Sequence, residues 1–326
     1  LDMGTMNHQE VVFEEMIKSG IRGFSGKCMI DENDLFPDFK ESTESSLSST
    51  LNLANSFHNV ENGRIKYGFA PRFVLSCSEG LLKETSNVVN DFDGSLYHTH
   101  SSENKGEIAA VRAKHGKENI EYFDSINVLS DKTVLAHAIH TNEKEVELLR
   151  TSGTRVSHCP SSNLKLGSGI ADIPKYIDKG ISVSIGADGA PCNNNLNMFT
   201  EMRLASLIQK PIYDPIVMDA EQMVRLVTIE GARALHLENE VGSIEVGKKA
   251  DLQLLNLDKA NHTMLESDKN LYSSIAYAAD KSDVDSVMVE GKWVVRNGEN
   301  LVYDESEMLT QGREELSKLL NRAKIN

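Results

Sequence analysis

Apolar residues along this chain follow two alternating rhythms. Short runs that are mostly apolar give way to longer stretches whose apolar positions fall three and four residues apart, and the alternation repeats over the first 210 residues. Glu10–Gly20 carries the helical spacing and closes on glycine, a natural helix stop. Ile21–Ile30 follows as a strand-like run, then a Ser-rich helix over Ser42–Asn55 and a strand over Ile65–Phe69. The same reading gives helix Glu79–Phe92, strand Ser95–Thr99, helix Gly106–Leu129, strand Thr133–Ala138 and helix Glu143–Gly153. Strand Arg155–His158, helix Ile173–Gly180, strand Ile181–Gly186 and helix Asn197–Gln209 complete the series. Strands alternating with helices of this length predict βα units on a parallel sheet.

Six strands are predicted, and a closed (β/α)8 barrel needs eight. Either the sheet is open and doubly wound, or this is a barrel whose first strand and most of its second precede Leu1, with Leu1-Asp2-Met3 as a stub. The barrel is preferred, because chemistry-bearing residues end four consecutive strands, as they do at the C-terminal mouth of such barrels. The fold class expected is therefore α/β, an incomplete (β/α)8 barrel over 1–237. The segment 238–326 is expected to form a small β appendage, part of a β-sandwich, with a terminal helix. Within it, Asp219–Leu237 leads in as a helix, 241–258 shows two short strand signals split by Gly-Lys-Lys, Asp285–Gly298 reads as a hairpin, and Glu305–Lys324 as an amphipathic helix.

Composition narrows the partners. A formal net charge of −15, with no basic cluster, argues against nucleic acid or an anionic membrane as partner. The 4 cysteines show no CxxC spacing, which suits a reduced, cytoplasmic chain. No apolar run approaches the ~18 residues of a membrane span.

The candidate chemistry lies at the strand ends. In His98-Thr-His100 the two imidazoles share a face, since strand side chains alternate, and Glu103 lies just beyond. A metal site is the functional reading, against one buried and one surface histidine. Asp188, among small residues in Gly186-Ala-Asp-Gly-Ala190, is either a metal ligand that also takes a proton or a helix N-cap. His137 and His140 end one strand, and either could face the barrel mouth. His158 and Asn163 could hold substrate or merely tie down their loop. Arg72 and Phe73 offer a guanidinium beside a ring, suited to a planar heterocycle, or are simply a surface and a core residue. The chain has no GxGxxG after a strand, no Walker Gly-Lys-Ser/Thr and no GxSxG, so nucleotide-cofactor and serine-hydrolase chemistry find no support.

Taken together, His98-Thr-His100-x-x-Glu103, Ala136-His137, Ser157-His158-Cys159-Pro160-x-Ser162-Asn163-Leu164-Lys165-Leu166-x-Ser168-Gly169, Gly186-x-Asp188-Gly189-Ala190 and Gly242-Ser-x-x-Val-Gly247-x-x-Ala250-Asp251 resemble the amidohydrolase superfamily, from about Asp2 to Gly298. The chain is most similar to the branch that deaminates adenosine derivatives and guanine or hydrolyses triazines. The resemblance implies one divalent ion, zinc or alternatively iron, bound by His100 and Asp188. Two further ligands are expected from an HxH on a first strand upstream of Leu1, and the chain is expected to be a fragment. It also implies that Glu103 shuttles protons to a ring nitrogen, that His137 steers a metal-bound hydroxide and that Asp188 takes its proton. The expected substrate is an aminopurine nucleoside such as 5′-deoxyadenosine, methylthioadenosine or S-adenosylhomocysteine, with ammonia released. Guanine deamination or triazine hydrolysis is the alternative, and a non-catalytic barrel scaffold or an inactive fragment the second. The complete protein is expected to be a homo-oligomer.

Overall fold

The structure is a computed structural model describing residues 1–34, 36–259, 262 and 268–325. Its main sheet is parallel. β1 (Gly23–Ser25) and β2 (Cys28–Met29) both pair with β3 (Ile65–Pro71). β4 (Leu96–Ser101), β5 (Thr133–His137), β6 (Arg155–His158) and β7 (Val183–Ile185) then follow in sequence order. The segment at the start, though not itself a strand, runs alongside β1 and β2. Asp2 N donates to the Phe24 carbonyl at 2.9 Å, Gly4 N to that of Gly26 at 2.8 Å, and Cys28 N to that of Thr5 at 3.1 Å. Among the described residues the sheet runs from β1 to β7, a curled barrel wall with helices on its outer face.

Strand alternation divides the apolar residues between two faces. Phe24, Leu96 and Val134 meet Ala232 and Leu237 in a small inner cluster. Tyr67, Phe69, Tyr97, Leu135 and Val156 point outward into the large core that the helices cover. His98 and His100 share the inner face with Leu96, two and four residues before them.

Several element boundaries differ from those predicted, for local reasons. The strand expected over 21–30 is two strands, because the backbone shifts at Gly26, where a Cβ would stand 1.7 Å from the Gly68 carbonyl oxygen. The helix expected over 106–129 is two, Lys105–His115 and Asn119–Ser125. Gly116 ends the first in the left-handed region (φ 67) and donates its N–H to Arg112 O. The helix expected over 219–237 breaks at Thr228 (φ −123, ψ −99) into Ala220–Leu226 and Ile229–Ala234. After β6, Pro160–Lys165 is a short helix opened by its proline.

In the tail, only one of the two strands expected over 241–258 forms, β8 (Leu252–Leu255). The hairpin is present as β9 (Val284–Val289) and β10 (Lys292–Arg296), turning through Glu290 (φ 50) and Gly291 (φ 76). With β11 (Glu299–Asn300) these make an antiparallel sheet ordered β11-β10-β9-β8. Trp293, the chain's only tryptophan, lies on β10 opposite Met288, with the Arg296 guanidinium 5.7 Å from its ring centre. The terminal helix, Glu305–Ala323, buries no side chain. Among the described residues no helix is long and apolar enough to cross a membrane.

Arg22 joins the tail sheet to the barrel wall through two carboxylates, Asp251 and, at 3.4 Å, Glu290. Arg22, just before β1 and 8% exposed at its side chain, donates Nε–H to Asp251 at 2.6 Å and Nη2–H at 3.1 Å. Burial opposes ionisation of the Asp251 carboxyl, but the guanidinium and the Glu290 amide outweigh it and hold its pKa below the usual range. Asp251→Ala would leave the buried guanidinium only its longer contact with Glu290, at 3.4 Å. A loss of about 2 kcal/mol, between that of an exposed bridge and that of a fully broken buried pair, is therefore expected in urea unfolding. A loss below roughly 1 kcal/mol would show the pair to be worth no more than a surface bridge.

Candidate active site

The inner-face histidines lead to the other candidate groups. The rings of His98 and His100 lie 6.3 Å apart, and that of His100 is 5.4 Å from His137, each pair within 23° of parallel. His100 is aimed by a backbone group. The Arg72 carbonyl accepts from His100 Nδ1 at 2.8 Å, from His100 N at 3.1 Å and from Thr99 Oγ1 at 3.0 Å. With Nδ1–H engaged there, Nε2 keeps its lone pair for the mouth of the sheet. Burial, and then the neighbouring His137, lower the His100 pKa to about 4. The ring is therefore neutral near pH 7, as a metal ligand must be.

His137 ends β5 in a conformation that non-glycine residues rarely adopt (φ 73), as does Ala138 after it (φ 44). Ser102 (φ 55) and Asp188 (φ 61) do the same at the ends of their own strands. Such residues cost on the order of 1–3 kcal/mol each and gather where a site dictates side-chain direction. Here the turned backbone accompanies His137 into the site: its Nδ1 bonds Asn163 Oδ1 at 2.8 Å and its Nε2 lies 3.9 Å from Glu103 Oε2. Glu103 is also held by the Ser168 hydroxyl, which donates to Oε1 at 3.3 Å.

Asp188 accepts the Ser162 hydroxyl at 2.5 Å and its neighbour's amide, Gly189 N, at 2.6 Å. Burial pushes its pKa up, but these donors together with the fields of His137 and His100 lower it overall. The carboxylate is thus ionised in the site. It does not cap a helix: Gly189 holds the N-cap position of the short helix Ala190–Asn193 that follows.

The remaining predicted residues separate. Of the two histidines ending β5, His137 joins the site, whereas His140 donates Nε2–H to the Ser168 carbonyl at 2.7 Å and ties the two loops. Arg72 is exposed beyond β3, its guanidinium 4.4 Å from the ring centre of Phe73. His158 and Asn163 are each 1% exposed. Neither ring nitrogen of His158 has a partner, and burial, then His137, lower its pKa to about 3. Three contributors escaped the sequence reading: Ser162, Ser168 and the Arg72 carbonyl. The serines stand inside the quoted motif, but their partners are 26 and 65 residues away in sequence. A backbone carbonyl has no sequence signature at all.

The donor chemistry of His100 and Asp188, a neutral imidazole with its second nitrogen tied and an ionised carboxylate, suits a divalent ion. The number does not. Among the described residues no group of three or more His, Cys, Asp or Glu could hold an ion, and catalytic zinc takes three protein ligands.

The chain is similar to known proteins over most of its length. The chain is 36% identical over 304 residues to a 5-methylthioadenosine/S-adenosylhomocysteine deaminase of Thermoanaerobacter pseudethanolicus, covering 93% of this chain and 68% of the relative. It is 37% identical over 310 residues to a 5′-deoxyadenosine deaminase of Methanosphaera stadtmanae, covering 94% of this chain and 70% of that one. Among solved structures, a zinc-bound adenosine deaminase of Xanthomonas campestris superposes with a TM-score of 0.89 at 27% identity, over 96% of this chain and 70% of its own. The sequence profile of the amidohydrolase family matches residues 1–294. With its parallel barrel wall and its histidines, glutamate and aspartate at one end of it, this chain belongs to the amidohydrolase family.

Proposed function

We propose that this chain is a hydrolytic deaminase of an aminopurine nucleoside such as 5′-deoxyadenosine, methylthioadenosine or S-adenosylhomocysteine, releasing ammonia. The observation that carries the reading is the meeting of His100, Glu103, His137 and Asp188 at the C-terminal ends of the parallel strands. The deaminase names of relatives about one-third identical to this chain support it.

The residues divide the work by their chemistry. Asp188, ionised and held by Ser162, accepts a proton from the attacking water. His137 orients that water. Glu103 gives a proton to the ring nitrogen beside the attacked carbon, so that negative charge does not build up there. As the intermediate collapses, the proton held by Asp188 passes to the amino group, which leaves as ammonia, and the proton of the new hydroxyl returns to Glu103. Arg72 and Phe73 face the planar base with a guanidinium and a ring. A divalent ion, zinc or iron, with His100 and Asp188 among its ligands, would bring the pKa of water from ~15.7 towards ~7.

The test is ammonia release by the purified chain with added zinc, from the three adenosine derivatives and from guanine. Release from an adenosine derivative in preference to guanine is expected. Release from guanine alone, or from none of them, overturns the proposal.

A further inference from the structure

The Pro160–Lys165 helix and the turn after it lie beneath the site and hold its groups in place. Ser162 bonds Asp188, Asn163 bonds His137, and Ser168 bonds Glu103 through its hydroxyl and His140 through its carbonyl. The Asn163 contact differs from the others in kind, because a neutral imidazole has two tautomers and the partner of one nitrogen decides what the other presents.

We propose that Asn163 is a positioning residue that fixes His137 as its Nδ1–H tautomer, leaving the Nε2 lone pair on the side of Glu103 and the reacting water. Asn163 Oδ1, which can only accept, lies 2.8 Å from His137 Nδ1. Both residues are 1% exposed, so water does not compete for the bond. The backbone of Asn163 is fixed on both sides: its N–H donates to Cys159 O at 3.0 Å, and its carbonyl accepts from Ser168 N at 2.8 Å. At 3.9 Å, Glu103 is beyond hydrogen-bond reach of Nε2 and does not require a proton there. A lone pair on Nε2 accepts one hydrogen of a water and turns the oxygen's own lone pair towards a substrate.

The test uses the chain labelled with 15N-histidine and two-bond 15N–1H correlation spectra, with His137→Gln identifying the His137 signals. A protonated Nδ1 and a bare Nε2 are expected in the parent chain and in Asn163→Asp, which keeps an acceptor. Asn163→Leu is expected to move His137 towards the Nε2–H form. A parent spectrum showing the Nε2–H form, or an Asn163→Leu ring with an unchanged tautomer, overturns the inference. If Asn163→Leu does not fold, the parent spectrum decides alone. The consequence for turnover rests on the deaminase reading: kcat of Asn163→Leu is expected to fall at least about tenfold, with partial recovery in Asn163→Asp. Because the spectrum needs no substrate, the expected tautomer without ammonia release counts against the deaminase reading alone. The opposite tautomer counts against Asn163 alone.

Discussion

Replacing Glu103 by glutamine is expected to lower kcat for ammonia release by about 10²- to 10⁴-fold, the usual worth of a general acid–base group. Glutamine has the same length and can still accept the Ser168 hydroxyl where Glu103 does, so the site should keep its shape. What it cannot do is gain and lose a proton. The loss should therefore appear in kcat, with KM and thermal stability close to those of the parent chain. The backbone anchor is independent of the change, since Glu103 N–H donates to Glu107 Oε2 at 2.8 Å. A Glu103→Gln chain turning over within about threefold of the parent would remove Glu103 from the chemistry, a loss far below the range for acid–base groups.

The second large effect concerns acid stability and lies at His158. Its ring is buried with neither nitrogen bonded, and its pKa is near 3 in the folded chain, against ~6.5 unfolded. Below pH ~6.5 the unfolded chain binds a proton there that the folded chain refuses, so stability falls as pH falls. The fall from this one group is about 1.4 kcal/mol per pH unit and ends near pH 3, for a total on the order of 5 kcal/mol. His98 and His100, also lowered chiefly by burial, add to the same acid limb. His158→Met keeps the volume, removes two unpartnered polar atoms and cannot titrate. Urea unfolding between pH 6 and 4 should show a shallower slope for His158→Met than for the parent, by about 1.4 kcal/mol per unit. Parallel slopes would mean that His158 is solvated or bonded in solution.

The sequence exposed the parts of this site that depend on periodicity. Alternation along a strand put His98 and His100 on one face, and the structure has them there. The alternation of strand and helix predicted a parallel sheet, and the strands follow one another in sequence order. It failed where local rules meet tertiary contacts. Gly116 is an ordinary helix stop and could have been read as one; a long apolar pattern running across it concealed the break. The choice between His137 and His140 rests on positive φ angles at 137 and 138 and on contacts with residues 163 and 168, none of which a strand pattern encodes. Asn163 is the clearest case: its residue type allowed a substrate contact or a loop anchor, and its bond to His137, 26 residues away in sequence, has no sequence signature.

The placement of the aromatic residues makes the two sheets spectroscopically separable. Trp293 belongs to the antiparallel tail sheet, while Tyr67, Tyr97 and Tyr176 are buried in the barrel wall and under its helices. Tryptophan emission therefore follows the tail and near-ultraviolet tyrosine dichroism follows the barrel. Arg22 and Asp251 form a hinge pin between them, and coincidence of the two melting traces measures how far that pin makes them a single cooperative unit.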